Sequence, residues 1–178
     1  MADADLLVRR LAAIQCIVEQ SRDIGKTKIQ KIVYFLQEGS GVPLGYSFRM
    51  HHYGPFSDEI DSEISALQSA GYIEVNHDSQ GYGYHITPAT ADQLPWDSEL
   101  AKYREEMTQA ISALGSLDAS DLELYATIHF VQHLLKAPTR EKVVENVSRL
   151  KPRFSPLMIG AAYNRLVKSG LMTADSAN

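Results

Sequence analysis

The stretch "FRMHHYGPFSDEIDSEISALQSAGYIEV", residues 48–75, holds a turn, a helix with its cap and the start of a strand in one short run. Pro55 fixes the turn, and Ser57 stands where an N-cap side chain accepts from the free amides of a helix. Asp58 and Glu59 fall in the first turn, where negative charge offsets the positive end of the helix dipole. Ile60, Ile64 and Leu67 recur at helical spacing and predict the buried stripe, and Gly71 predicts the end. Upstream, "YSFRMHHY" alternates loosely and predicts a short strand with Tyr46, Phe48 and Met50 on one side. Downstream, Ile73 with Val75 and Tyr84 with Ile86 predict two strands joined by a polar, glycine-containing turn, hence a hairpin.

Two helices are predicted ahead of this region. Leu7, Leu11, Ile14 and Val18 carry the first from Asp5 to Ser21. Thr27 and Gln30 have the spacing of a capping box for the second, whose face is Ile29, Ile32, Val33 and Leu36 and whose terminator is "EGSG". The order helix, helix, strand, helix, hairpin is that of a winged helix-turn-helix over residues 1–90. After the proline-interrupted connector "PATADQLPWDS", residues 91–178 read as helical. Segments are expected over Ser98–Leu114, Asp118–Lys136, Thr139–Leu150 and Ser155–Ser169. The second of these is apolar on several sides and is expected to be central. Ile159, Tyr163, Leu166 and Gly170 repeat the spacing of Ile60, Ile64, Leu67 and Gly71, which hints at a second helix-turn-helix-like unit. The fold class is therefore α+β, mostly helical, with a winged helix-turn-helix N-terminal half and a helical C-terminal half.

With 178 residues, 44% of them hydrophobic and 22% charged, the chain can bury about 70% of its unfolded surface without a metal or disulfide. The lone Cys16 cannot form an internal disulfide and suits a reducing compartment. No apolar run approaches the roughly 18 residues of a membrane span, and "MADADLLVRR" lacks the form of an export signal, so the cytoplasm is expected. The net charge of −5 divides unevenly: residues 1–135 carry −10, residues 136–170 carry +6, and Asp175 adds −1.

"TKIQKIVYFLQEGSGVPLGYSF" followed by "HHYGPFSDEID" resembles the opening of YwgA-like proteins. It is similar, more distantly, to the Panacea (SocA-like) antitoxin domain and to the toxin-neutralising C-terminal domain of DarG antitoxins. The residues that carry the likeness are Lys28, Ile29, Gln30, Lys31, Tyr34, Phe35, Pro43, Leu44 and the run Tyr53–Ser57. "LKPRFS" and "AAYNRL" resemble the YwgA-like C-terminal segment. The resemblance implies a winged-helix scaffold and, through the antitoxin relatives, neutralisation of a toxin by direct contact. It does not imply ADP-ribose hydrolysis, because the macrodomain of DarG antitoxins has no counterpart in this sequence.

Three uses of residues 48–75 compete. For catalysis, His51 and His52 are neighbours that point to opposite faces of a strand, and no nucleophile elbow or phosphate loop is present. His129 and His133 have the i, i+4 spacing of helical metal ligands, but Phe130 stands where a zinc protease needs glutamate, so packing is expected and no catalytic, cofactor or metal residue is assigned. For duplex reading, affinity comes from Lys and Arg on phosphate, whereas helix 57–70 carries Asp58, Glu59, Asp61 and Glu63 and no base. Lys26, Lys28 and Lys31 are the only cations near the front. Nucleic acid or an acidic partner would have to meet Arg149, Lys151 and Arg153. For protein contact, Tyr53, Pro55, Phe56 and Tyr82, with Tyr84, offer aromatic anchors beside the acids. The expectation is thus a non-enzymatic, antitoxin-like or adaptor module that needs no cofactor. Its acidic winged-helix surface would bind a basic toxin or a subunit of a toxin-antitoxin or phage-defence system. The alternative is a DNA-binding transcriptional regulator working through the basic C-terminal region, and a homodimer is left open.

Overall fold

Apolar residues at helical spacing need a common interior, and two helices here are buried almost all round. The computed structural model describes residues 2–77, 83–89, 92–135 and 138–173. The first helix, α1 (Ala2–Ser21), leads to α2 (Lys26–Glu38), in which every residue from Ile29 to Leu36 is buried, Gln30 and Lys31 included. Each large apolar side chain in that run stabilises the fold by about 1.5–3 kcal/mol. Around α2 pack α1, α5, α6 and two hairpins.

The strand expected at 46–53 is instead a hairpin. β1 (Arg49–His51) pairs antiparallel with β2 (Gly54–Phe56), in the register Arg49 to Phe56, Met50 to Pro55 and His51 to Gly54. The reversal at His52 and Tyr53 needs Gly54 in a left-handed conformation, φ 88°. Helix α3 (Asp58–Ser69) follows, with Ile60, Ile64 and Leu67 buried as expected. Gly71 ends it in a Schellman motif: its amide donates to the Gln68 carbonyl at 3.0 Å and the Tyr72 amide donates to the Leu67 carbonyl at 3.0 Å. The predicted second hairpin is present as β3 (Ile73–His77) against β4 (Tyr84–Pro88), and Ile24, between α1 and α2, bridges to Ile86.

Two expected caps differ. The Thr27–Gln30 box does not form, because the Gln30 side chain reaches inward to residue 57. Ser57 takes the N-cap place, but its hydroxyl donates to Glu59 and not to the helix amides.

Beyond the connector come α4 (Ser98–Ala101), α5 (Arg104–Gly115), α6 (Ala119–Leu134), α7 (Arg140–Leu150) and α8 (Pro156–Lys168). The single helix expected from Ser98 is broken where Tyr103, at φ −102° and ψ 12°, leaves helical geometry. Asp118, Thr139 and Ser155 cap α6, α7 and α8 through their side chains. Helix α6 is the second central element, packed on α2, β2, α7 and α8. The buried apolar residues of all these elements form one continuous core. The fold is mostly helical with two small antiparallel sheets.

Candidate interaction surface

The hairpin β1–β2 reaches the centre of the molecule, and buried charge holds it there. A Cβ on Gly54 would stand 3.0 Å from the Thr127 hydroxyl and 3.4 Å from the Glu123 carbonyl, so only glycine lets the strand lie against α6. The Pro55 carbonyl accepts from Lys31 Nζ at 2.6 Å, and the His52 carbonyl accepts from Lys151 Nζ. Gln30 clamps residue 57 twice, accepting from its amide at 3.1 Å and donating to its carbonyl at 2.9 Å. Glu123 balances these cations: its Oε1 lies 2.9 Å from Lys151 Nζ and its Oε2 accepts from Arg153 at 2.6 Å. Lys31 is 1% exposed, and burial pulls its ammonium down to about 8, with Glu123 opposing and Lys151 adding to the shift.

This network corrects two sequence expectations. Lys151 is buried and engaged with Glu123, so it is no free cation for phosphate, whereas Arg153 shares that carboxylate with its side chain 52% exposed. Arg149 pairs with Glu145 one helical turn back. The front lysines are engaged as well: Lys26 lies over the Tyr84 ring at 4.4 Å, Lys28 donates to the Gly115 carbonyl at 2.8 Å, and Lys31 is internal.

The acids of α3 divide. Asp58 and Glu59 are exposed; Asp58 pairs with Arg49 at 2.8 Å, and Glu59 accepts from the Ser57 hydroxyl. Asp61 is half-buried and accepts from Gln30 at 3.3 Å. Glu63 does not belong to this face: it is buried, 3.4 Å from Arg10, and accepts from the Tyr46 hydroxyl. Burial raises the Glu63 pKa, while Tyr46 and Arg10 pull it back. The remaining outer face is small and neutral, with the hydroxyls of Ser62, Ser65 and Ser69 donating to carbonyls one turn back.

Among the aromatic anchors, Tyr53 is 51% exposed. Phe56 is half-buried beside the His51 ring at 5.1 Å. Pro55 is buried, so it shapes the hairpin and offers no contact area. Tyr82 lies outside the described residues. Tyr84 is half-buried against His77. The exposed surface is therefore Tyr53, the edge of Phe56, and Asp58, Glu59 and Asp61.

His129 is buried, with Nδ1 2.7 Å from the Tyr34 hydroxyl, and burial pushes its pKa down to about 3. His133 Nδ1 lies 2.9 Å from the His129 carbonyl. Among the described residues, no group of three or more His, Cys, Asp or Glu could hold a metal ion, and no helix is long and apolar enough to cross a membrane.

Sequence reasoning missed Glu123, the hub of the network. Its signal was present: a lone carboxylate inside "LELYATIHF", a run too apolar to leave it in water, requires a cation.

No protein-family profile matches the chain. It is 27% identical over 129 residues to the uncharacterized protein YwgA of Bacillus subtilis, covering 72% of this chain and 77% of that protein. It is also 24% identical over 155 residues to the DNA ADP-ribosyl glycohydrolase of Thermus aquaticus, covering 84% of this chain and 42% of the relative. The chain thus spans less than half the length of that enzyme.

Proposed function

We propose that the chain is a non-enzymatic interaction module, antitoxin-like or adaptor, that binds a basic partner protein in the cytoplasm through the outer face of α3 and Tyr53. One observation carries this reading. Asp58, Glu59 and Asp61 lie at the solvent side of α3 with no lysine or arginine on that helix, next to an exposed tyrosine. A phosphate backbone is repelled there, whereas a basic protein surface finds carboxylates and one aromatic anchor.

The winged-helix reading is part of the proposal. Ile24 between α1 and α2 bridges to β4, so α1, α2, α3 and the β3–β4 hairpin follow each other as the helices and wing of such a domain do. What departs from it is the β1–β2 hairpin inserted ahead of α3. Likeness to part of a protein named a DNA ADP-ribosyl glycohydrolase supports a partner that acts on DNA. Such a partner, a basic toxin or a subunit of a defence system, carries a cationic nucleic-acid surface that the carboxylates of α3 would occupy in place of phosphates.

The alternative, a DNA-binding regulator using Arg149, Lys151 and Arg153, is disfavoured because Lys151 is buried on Glu123, which leaves only two exposed cations, Arg149 and Arg153, to meet phosphate. The test is co-purification from the native host across a salt series, with a duplex titration alongside. The expected result is one basic protein retained at low salt and released as salt rises, and no duplex bound. Duplex binding with a steep salt dependence, and no retained protein, would overturn the reading.

A further inference from the structure

A cleft of about 300 Å³ lies between α2, the strand entering β1, and α6, and is lined by Tyr34, Glu38, Phe48, Phe130, His133 and Leu134. Three of the six carry phenyl or phenol rings, and His133 adds an imidazole. The Phe48 ring centroid is 5.1 Å from that of Tyr34, with the planes at 89°, and the Phe130 ring is 6.3 Å away at 47°. Rings set at such angles form the corner of a box. Tyr34 is 1% exposed and its hydroxyl is tied to His129, so its ring is a covered base that fixes the walls and offers no face of its own; Phe48 and Phe130 are the half-buried walls. Glu38 is exposed at the end of α2 and held by Gln37 Nε2 at 2.7 Å, which places a carboxylate at the edge of the cleft. Leu134, 67% exposed, adds apolar surface at the same rim.

Aromatic faces carry negative quadrupoles that attract an organic cation, and a carboxylate at the rim adds a full charge. No lysine or arginine lines the cleft among the described residues, and its one imidazole, His133, is turned by its Nδ1 to the His129 carbonyl at 2.9 Å and not to Glu38. From this juxtaposition we infer that the cleft is a docking pocket for a lysine or arginine side chain of a partner protein. The head group would sit against Phe48 and Phe130 near Glu38, and the aliphatic stem would lie along Leu134. A side chain fits better than a free ion because the exposed leucine gives the stem a surface to cover. The cleft shares no residue with the α3 face, so the inference does not need that surface to be the one the partner covers.

The test is a pair of blocked peptides of one sequence, carrying either lysine or its uncharged isostere norleucine, titrated into the isotopically labelled protein and followed by NMR. The lysine peptide is expected to give saturable shifts at Phe48, Phe130 and Leu134, with affinity at least about threefold above its norleucine twin. Glu38→Gln is expected to narrow the gap between the lysine peptide and its norleucine twin with the melting temperature unchanged, since Glu38 is exposed. Phe48→Leu is expected to weaken the lysine peptide more than its twin. Equal affinity for the two peptides, or shifts confined to other regions, would overturn the assignment. So would free ethylammonium competing as well as the lysine peptide, because the stem would then be irrelevant. Either failure leaves the α3 reading intact, since that is read by capture of a partner.

Discussion

The acidic run at 58–63 and the basic run at 149–153 look like mirror images in the sequence, yet the molecule uses them in opposite ways. Three of the four acids on α3 stay at the solvent side, and only Glu63 turns in to Arg10 and Tyr46. Of the three basic residues, Lys151 is buried on Glu123 and Arg153 shares that carboxylate. Charge count alone therefore does not locate surface: α3 keeps three acids outside, whereas 149–153 mixes a buried Lys151 with Arg149 and Arg153, whose side chains stay 71% and 52% exposed. The difference comes from α6: it brings a buried carboxylate to the basic segment, whereas the outer turn of α3 faces no equivalent interior cation.

The largest effect is expected from breaking the scaffold side. Lys151→Met removes the buried partner of Glu123 and one anchor of the His52 carbonyl, and should cost about 3–5 kcal/mol in urea denaturation. Adding Glu123→Leu should return only a small part of this loss, because it removes the under-paired carboxylate but also the charge that opposes buried Lys31 and pairs with Arg153.

Helix α6 sharpens the contrast within itself, since Glu123 has Lys151 and Arg153 as partners whereas buried His129 has the Tyr34 hydroxyl at its Nδ1. The His129 pKa, near 3, lies below the ordinary value of about 6.5. The unfolded chain therefore takes up the proton first as pH falls. Stability should be full above pH 6.5 and should fall towards pH 3, by at most about 1.4 kcal/mol per pH unit from this group. His129→Gln, which can still accept from Tyr34, should flatten that slope in denaturation curves taken at several pH values.

Gly54→Ala probes the geometry that lets β2 reach the network. The left-handed φ and the 3.0 Å approach to Thr127 should cost about 1–3 kcal/mol in the same assay. The surface side should respond least. Asp58→Asn breaks only the exposed pair with Arg49 and should change stability by less than about 0.5 kcal/mol.

Much of the fold was legible because it depends on local pattern. The stripe Ile60, Ile64 and Leu67, the terminator Gly71, the hairpin at 73–88 and the cap Ser155 each lie within a few residues of what they control. What escaped reading depends on partners far along the chain. Gln30 abandons a capping box to clamp residue 57, Glu63 meets Arg10 53 residues away, and Lys151 donates to His52 across 99 residues. The β1–β2 hairpin was missed for a different reason: it is local, but its two strands of three residues are too short for alternation to separate them from a single strand. The exposed part of the candidate surface, Tyr53 with Asp58, Glu59 and Asp61, was legible as charge and aromaticity; that Pro55 and Glu63 turn inward was not.

The account stands or falls on which charged run touches the partner, and one capture experiment compares them directly. Purified wild type, an Asp58→Lys, Glu59→Lys, Asp61→Lys variant and an Arg149→Ala, Arg153→Ala variant are each used as bait in lysate of the native host, after melting curves confirm that all three are folded. The account predicts that the basic partner held by wild type is lost by the first variant and kept by the second. Retention by the first variant together with loss by the second would contradict it.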